Sequence, residues 1–407
     1  MSIGIVGGGV AALHLGLALR TAGLDVTLYV ARGYDEVAGG PLLNTVVHHH
    51  PTLARERALG VMHWQPAEHG YDRHYHYIGG SDPVRFCGEF THPSCAVDHR
   101  LYLPALAADF ADRGGEIRVR TVGPRDLSSL AVLHDLVVIA SGRGPLSGLF
   151  ERRATLSPFD APQRRLCAGL YTGVARPDPE GVGISIAPGA GELLEIPIIS
   201  RHGRVTALLF ENRPGTAAAA LTDLCAADDE ALFTRTVLDT VREHHPATFE
   251  RIDVGEFALT DCRDLLQGGV IPAVRQDYFE IADGTFALAL GDAHVVVDPV
   301  MGQGANIAAY SAAVVAERIV TSAVYDELFC QQVARAREEV LVAASNWTNL
   351  MLNQHPRAEA VLRACSRDRL LANVFTDNFD HPDKQWDLLA TDQRADRFVG
   401  LHTATAD

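Results

Sequence analysis

The chain opens with short, wholly apolar runs separated by helical patterns. Residues 3–6 read as a strand, 13–22 as a helix ended by Gly23, and 26–30 as a second strand. Residues 136–140 (LVVIA) and 286–290 (FALAL) have the same character: apolar at every position, as in strands buried on both faces. Ahead of the run at 136–140 the pattern predicts a helix over 103–111, stopped by Gly114 and Gly115, and a strand over 116–122. Tyr71–Ile78 alternates instead, with His74 and His76 on one face and Tyr75 and Tyr77 on the other. From about Glu151 the helical signal gives way to strand-like runs at 166–171, 183–187, 193–199 and 205–210. A helical stretch begins at 216–221, an amphipathic helix follows over Glu230–His244, and 267–275 returns the chain to its first domain. Helices at 305–320, 326–351 and 356–373 and a tail around Trp386 complete it. The predicted architecture is α/β. A Rossmann-like domain is built from 1–150 and 259–325, with an inserted, mainly antiparallel sheet domain at 151–258 and a helical region at 326–407.

Two glycine-rich turns give this frame a chemistry. After the first strand come Gly7, Gly9 and Ala12, spaced G-x-G-x-x-A at the start of a helix. Gly7 permits a tight turn, Gly9 lets the backbone approach a pyrophosphate, and Ala12 lets helix and strand pack closely. After the strand at 286–290 comes GDAHVVVDPVMGQGAN, residues 291–306. Asp292 at the strand end suits the hydroxyls of a polyol. The turn Pro299, Gly302, Gln303, Gly304, Ala305 and Asn306 presents a helix N-terminus to negative charge. Together the two motifs predict one FAD, held at its pyrophosphate by the first and at its ribityl chain and ring by the second. The acid that ordinarily closes the second strand and binds the adenosine ribose is missing: Val30, Ala31 and Arg32 stand there. Arg32 and Arg100 are candidates for the adenosine or phosphate end, each against a plain surface arginine, and Val122 lies at the end of a neighbouring strand.

Composition narrows the partners. The 407 residues carry a formal charge of −16 with no basic cluster, which argues against nucleic acid. The seven cysteines are scattered, without a C-x-x-C pair, which points to free thiols in a cytoplasmic setting and to no structural metal. The run His48, His49, His50 lacks companion ligands at metal-binding spacing. No segment is long and apolar enough to predict a membrane span.

The chain resembles the epoxidase component of the two-component styrene and indole monooxygenases almost end to end. The residues that carry the likeness are GIVGGG with HLGL (4–9, 14–17), LLNTV (42–46), HYHYIGG (74–80) and HRLY (99–102). Further on come GELLEIP (191–197), LQGGVIP (266–272), VDPVMGQGAN (297–306), WTN (347–349) and FTDNFDHPDKQWD (375–387). The resemblance implies a fold of the para-hydroxybenzoate hydroxylase type. It also implies FAD delivered reduced by a separate NADH:flavin reductase, a C4a-hydroperoxyflavin formed with dioxygen, and epoxidation of an aryl alkene or of indole. By position it makes Asn44, Gly302 and Gln303 catalytic, with Asn44 also touching flavin. Thr45, Val46, Tyr71, His74, Val300 and Met301 become substrate contacts. Asn44 as a strand-end cap, His74 as a satisfied sheet histidine and Met301 as packing are the plain alternatives. One departure stands out: Pro41 occupies the place where the styrene enzymes carry an arginine, which stiffens that loop.

Two features favour the two-component reading apart from the resemblance. Single-component hydroxylases of this fold carry Asp-Gly after the strand at 136–140, whereas this chain has Ser141-Gly142-Arg143-Gly144 and no second dinucleotide loop. A weakly anchored adenosine end also suits a flavin that arrives reduced and leaves oxidised. Epoxidation removes no substrate proton, so the absence of a conspicuous base is consistent. The competing readings are a self-sufficient NAD(P)H-dependent hydroxylase, a same-family oxygenase acting on a larger indolic metabolite, and a flavin carrier without turnover. A flavin halogenase would carry Trp-x-Trp-x-Ile-Pro, but Trp64, Trp347 and Trp386 are isolated. The expected partners are the reductase, dioxygen and a small aromatic substrate, with a homodimer as the candidate assembly.

Overall fold

The computed structural model describes residues 1–282 and 284–400. Its first layer is a six-stranded sheet in the order Tyr278–Ala282, Thr285–Ala289, Leu136–Ile139, Ser2–Val6, Asp25–Val30, Glu116–Val119. All neighbours are parallel except the hairpin at the first edge. The central strands are buried on both faces, as their unbroken apolar runs require. Helices Val10–Thr21 and Gly304–Thr321 cover one face through Leu13, Leu17, Ala309, Ala312 and Val315. Leu127 and Leu130 of a short helix cover the other, against Val137 and Ile139.

The second layer is a nine-stranded sheet. Its path is Ala258–Leu259, Arg165–Thr172, Gly203–Asn212, Gly191–Ser200, Val182–Ala187, Tyr71–Ile78, Val84–Ala96, Val47–His48, with Leu265–Gly268 also paired to Arg165–Thr172. Pairing is antiparallel throughout except between Tyr71–Ile78 and Val182–Ala187. Those two strands belong to separate excursions of the chain, so no hairpin forces them antiparallel. The sheet therefore draws strands from both sides of residue 151 and from beyond 259, whereas the change of sequence pattern falls at 151. One face packs on C-terminal helices through Leu371, Phe375 and Phe379; the other packs on Glu230–His244 through Phe233, Val237 and Val241.

Three expected elements differ in detail. The helix placed at 103–111 begins earlier, as His99–Asp112, because the Asp98 carboxylate accepts from the Arg100 N–H and starts it; Pro104 lies inside. The stretch after Thr216 is a single 3₁₀ segment, Ala217–Thr222. The helix expected over 356–373 is two, Pro356–Cys365 and Arg369–Asp377, the second capped by Asp368. Among the described residues no helix is long and apolar enough to cross a membrane.

Candidate active site

A cleft of about 770 Å³ runs between the two sheets. One end is formed by the loop after the first strand and residues 30–32 and 120–122; the middle by Asp292; and the far end by residues 44–47, 299–302 and 304–305 against the nine-stranded sheet.

The first end is a cradle. Gly7 has φ +137, and a Cβ there would lie 2.1 Å from the Ala140 carbonyl oxygen, so only glycine makes this turn. A Cβ on Gly9 would meet nothing within 4 Å: the loop is bare on its open side. Leu13 is the first residue to donate within the following helix, to the Gly9 carbonyl at 3.1 Å, and no side chain caps the turn. The N–H groups of Val10 and Ala11 are thus left at the positive end of the helix, beside the cleft. Ala12 is fully buried and lies under the loop. Arg32 and Val122 line the outer end, and Val30 lines the cleft without a charge to offer.

Gly291 joins the two motifs. With φ +60 it packs against Ala11, a Cβ placed on it lying 3.1 Å from the Ala11 Cβ. Asp292, next in the chain, has a side chain 46% exposed and lines the cleft, with Arg143 Nε 3.8 Å away. That open side faces only the cleft, and the walls around it desolvate the carboxyl and push it up, against the pull of Arg143 and Arg275. At the far end Gly302 is left-handed (φ 62, ψ 20) after the turn Pro299–Met301, and helix Gly304–Thr321 begins without a side-chain cap. A Cβ at Gly302 or Gly304 would meet nothing, so this helix start is also bare. Two uncapped helix N-termini and one carboxylate, all lining a single elongated cleft, fit a dinucleotide with a polyol between its phosphates and its ring.

The structure separates the expected contacts into two groups. Asn44, Thr45, Val46, His74, Val300 and Met301 line the cleft with Pro299, Gly302, Gly304 and Ala305. Asn44 Oδ1 accepts from the N–H groups of Thr45 and Val46 at 2.7 and 3.0 Å, so the strand-end role is present as well. Asn306 faces away from the cleft. It accepts from His49 N–H and Thr52 Oγ1 and donates to the Val47 and Gly302 carbonyls, riveting the glycine turn to the histidine segment. Gln303 also turns inward: fully buried, its Nε2 donates to the Met301 and Phe379 carbonyls at 3.2 and 3.1 Å. Tyr71 is buried in the sheet core and does not line the cleft. Arg100 is the clearest correction. It is buried, with Nε 3.0 Å from both Asp98 oxygens, Nη2 2.5 Å from Asp98 Oδ2 and Nη1 2.7 Å from Asp264 Oδ1, and it does not face the cleft. Its partner Asp264 is far away in sequence, which is why the helix-start position misled.

Other residues at the far end were not anticipated. The three consecutive histidines point to different partners: His48 to Glu56, His49 to Ser94 Oγ at 2.9 Å, and His50 to the ring of His92. His49 and Phe379 line the cleft, and Phe379 meets the His74 ring edge-on at 4.7 Å. Asp380 lies 3.8 Å from His49 Nδ1, but the two do not form an ion pair, because His49 is neutral at any pH at which Asp380 is ionised. Burial pushes His49 down to about 3, and burial with nearby Asp377 pushes Asp380 up to about 7. His74 is likewise held well below its ordinary value by burial. Below the turn, Asp298 accepts from the Val300 N–H, and burial raises its carboxyl and that of Glu211 beside it. The far wall is apolar, made by Ile184, Leu194, Ile196 and Leu209 of the sheet. A signal for Phe379 and Asp380 was present in the segment 375–387, but nothing local showed which of its residues reach the cleft.

Comparison with known proteins follows the same lines. Residues 142–251 match the family described as "Styrene monooxygenase A putative substrate binding domain". The chain is 42% identical to styrene monooxygenase StyA of Pseudomonas fluorescens, over 99% of this chain and 98% of that protein. It is 43% identical to StyA of a Pseudomonas species, with the same coverage. Among solved structures, p-nitrophenol 4-monooxygenase PnpA from Pseudomonas putida DLL-E4 superposes with a TM-score of 0.62. The identity there is 13%, covering 94% of this chain and 98% of that one. That last likeness establishes the fold, of the para-hydroxybenzoate hydroxylase type.

Proposed function

The chain belongs to the styrene monooxygenase StyA family, and from that premise we propose that it is the oxygenase component of a two-component flavin system. It takes FAD already reduced by a separate flavin reductase and epoxidises a neutral aryl alkene, styrene or the indole 2,3-double bond. The observation that supports this best is the single cleft, with a dinucleotide cradle at one end and an apolar chamber at the other. The turn after Leu136–Ile139 offers Ser141, Gly142 and Arg143 to that cleft, with no carboxylate.

Bound in reduced form, FAD supplies two electrons to dioxygen, so that one oxygen atom joins the alkene and the other leaves as water. The chain's own groups do the rest. The bare N-terminus of Val10–Thr21 holds the pyrophosphate, and Asp292 accepts from ribityl hydroxyls. The first-turn N–H groups of Gly304–Thr321 stabilise negative charge on the ring. Ile184, Leu194, Ile196 and Leu209 keep water from the reacting end. Asn44 orients the ring edge or the oxygen, and Thr45, Val46, Val300 and Met301 shape the substrate side. His49 and His74 stay neutral there, which suits a reaction that takes no proton from its substrate. All seven cysteines are free, which supports a cytoplasmic setting.

The alternative, a self-sufficient NAD(P)H-dependent hydroxylase, makes a different prediction. The purified chain with FAD, substrate and NADH should leave NADH unoxidised until a flavin reductase is added. Sustained NADH oxidation by the chain alone would favour the single-component reading.

A further inference from the structure

A smaller cavity of about 200 Å³ adjoins the reacting end of the cleft. The two share Ile184, Val300, Met301 and Phe379 as walls. From this buried partition the chamber runs outward between strands Tyr71–Ile78 and Val182–Ala187 and the helix Pro356–Cys365, to a rim where Pro188 and Glu359 are exposed. Its sides are mostly apolar, including Ile78, Ile186, Ala358 and Leu362. One buried polar atom has no partner, His76 Nε2. The His76 ring lies flat on Phe86 at 4.4 Å, and burial pushes it down to about 3, so it presents a neutral surface.

The geometry points to this chamber as the route by which the neutral aryl substrate reaches, and its product leaves, the reacting end, separate from the mouth that admits the flavin. The inference rests on the function proposed above. The flavin end of the cleft is polar, with Arg32, Arg120 and Arg143 along it, and an FAD held by both glycine turns, as proposed above, would lie along the path from there to the sheet. An apolar substrate arriving after the flavin would have to pass the ring or displace it. Through the chamber it need only move the partition. Met301 is suited to that, being unbranched, with several rotatable bonds. Apolar cavities of roughly 150 Å³ hold benzene, so this one admits a single small aryl compound and no dinucleotide. A void of this size beside the reacting end is costly without a use.

Plugging the chamber away from the partition tests the route. Ala358→Trp and, separately, Ile186→Trp should lower kcat/KM for styrene, with reduced FAD supplied, by about tenfold or more. Their FAD affinity and kcat at saturating styrene should stay within about twofold of wild type, with more hydrogen peroxide released at low styrene. Folded variants with unchanged kcat/KM would overturn the route. A soak of wild-type crystals with 4-bromostyrene reads the chamber without turnover: bromine anomalous density between Ile186 and Leu362 is expected, and a chamber that stays empty would overturn the proposal. Absence of epoxide from the wild-type enzyme would instead count against the function proposed above, and the soak would still decide the chamber.

Discussion

Arg100 separates a holding role in the fold from a role in binding flavin. Its guanidinium is buried between Asp98, which it meets through Nε and Nη2, and Asp264, which it meets through Nη1 at 2.7 Å. Replacing it by methionine keeps the bulk and removes the charge. Asp264 would keep Arg201 Nη2 and His202 Nε2, both at 2.8 Å, and Thr260 Oγ1 at 2.5 Å. Asp98 would be left buried with only the Arg100 backbone N–H at 2.9 Å. Breaking a buried pair from one side costs about 3–5 kcal/mol, and here most of it falls on Asp98. Arg100→Met should therefore lower the free energy of unfolding in denaturant by roughly that amount. Adding Asp98→Asn, which keeps an N-cap but removes the stranded charge, should recover about 1–2 kcal/mol. FAD affinity of the folded variant should be close to wild type. Unchanged stability with flavin binding weakened about tenfold or more would refute the reasoning and restore a pyrophosphate contact.

The other predictions concern the cleft itself. Asp292→Ala should weaken FAD binding roughly ten- to a hundredfold in a fluorescence titration, the equivalent of about 1.5–3 kcal/mol of charge-assisted hydrogen bonds, with little change in melting temperature; binding within about twofold of wild type would remove Asp292 from the ribityl site. Asp380, raised to about 7 in the fold, binds its proton more tightly folded than unfolded, so its contribution is complete below the unfolded value of 3.8 and is lost as pH rises through 7. Wild type should thus lose about 2–3 kcal/mol between pH 5 and 8 that Asp380→Asn retains; parallel stability curves for the two would contradict this. The buried histidines act in the opposite direction: His49, His76 and His99 are lowered to about 3, so the stability they contribute above their usual value of 6.5 is lost as pH falls toward 3.

Much of this architecture was legible in the residues because it depends on local period. Unbroken apolar runs marked the central strands, and alternation marked Tyr71–Ile78. The turns at Gly7 and Gly302 carry backbone requirements that only a few sequences meet. Side-chain direction inside a motif was not legible. Gln303 and Asn306 sit beside Gly302 and Gly304 in sequence, yet both turn inward, because carbonyls of Met301, Phe379 and Val47 wait there. Arg100 and Asp264 meet only once the two sheets are assembled. The parallel pairing of Tyr71–Ile78 with Val182–Ala187 likewise needs the whole fold, and it places His74 and His76 at the cleft and the chamber. Tertiary partners distant in the chain leave no periodic trace.

The most direct test mixes the purified chain with FAD reduced in the absence of air, styrene, and isotopically heavy dioxygen, without reductase or nicotinamide cofactor. The predicted product is styrene oxide carrying one heavy oxygen atom, read by mass spectrometry. Formation of hydrogen peroxide alone, with no oxygenated product from styrene or indole, would contradict the account.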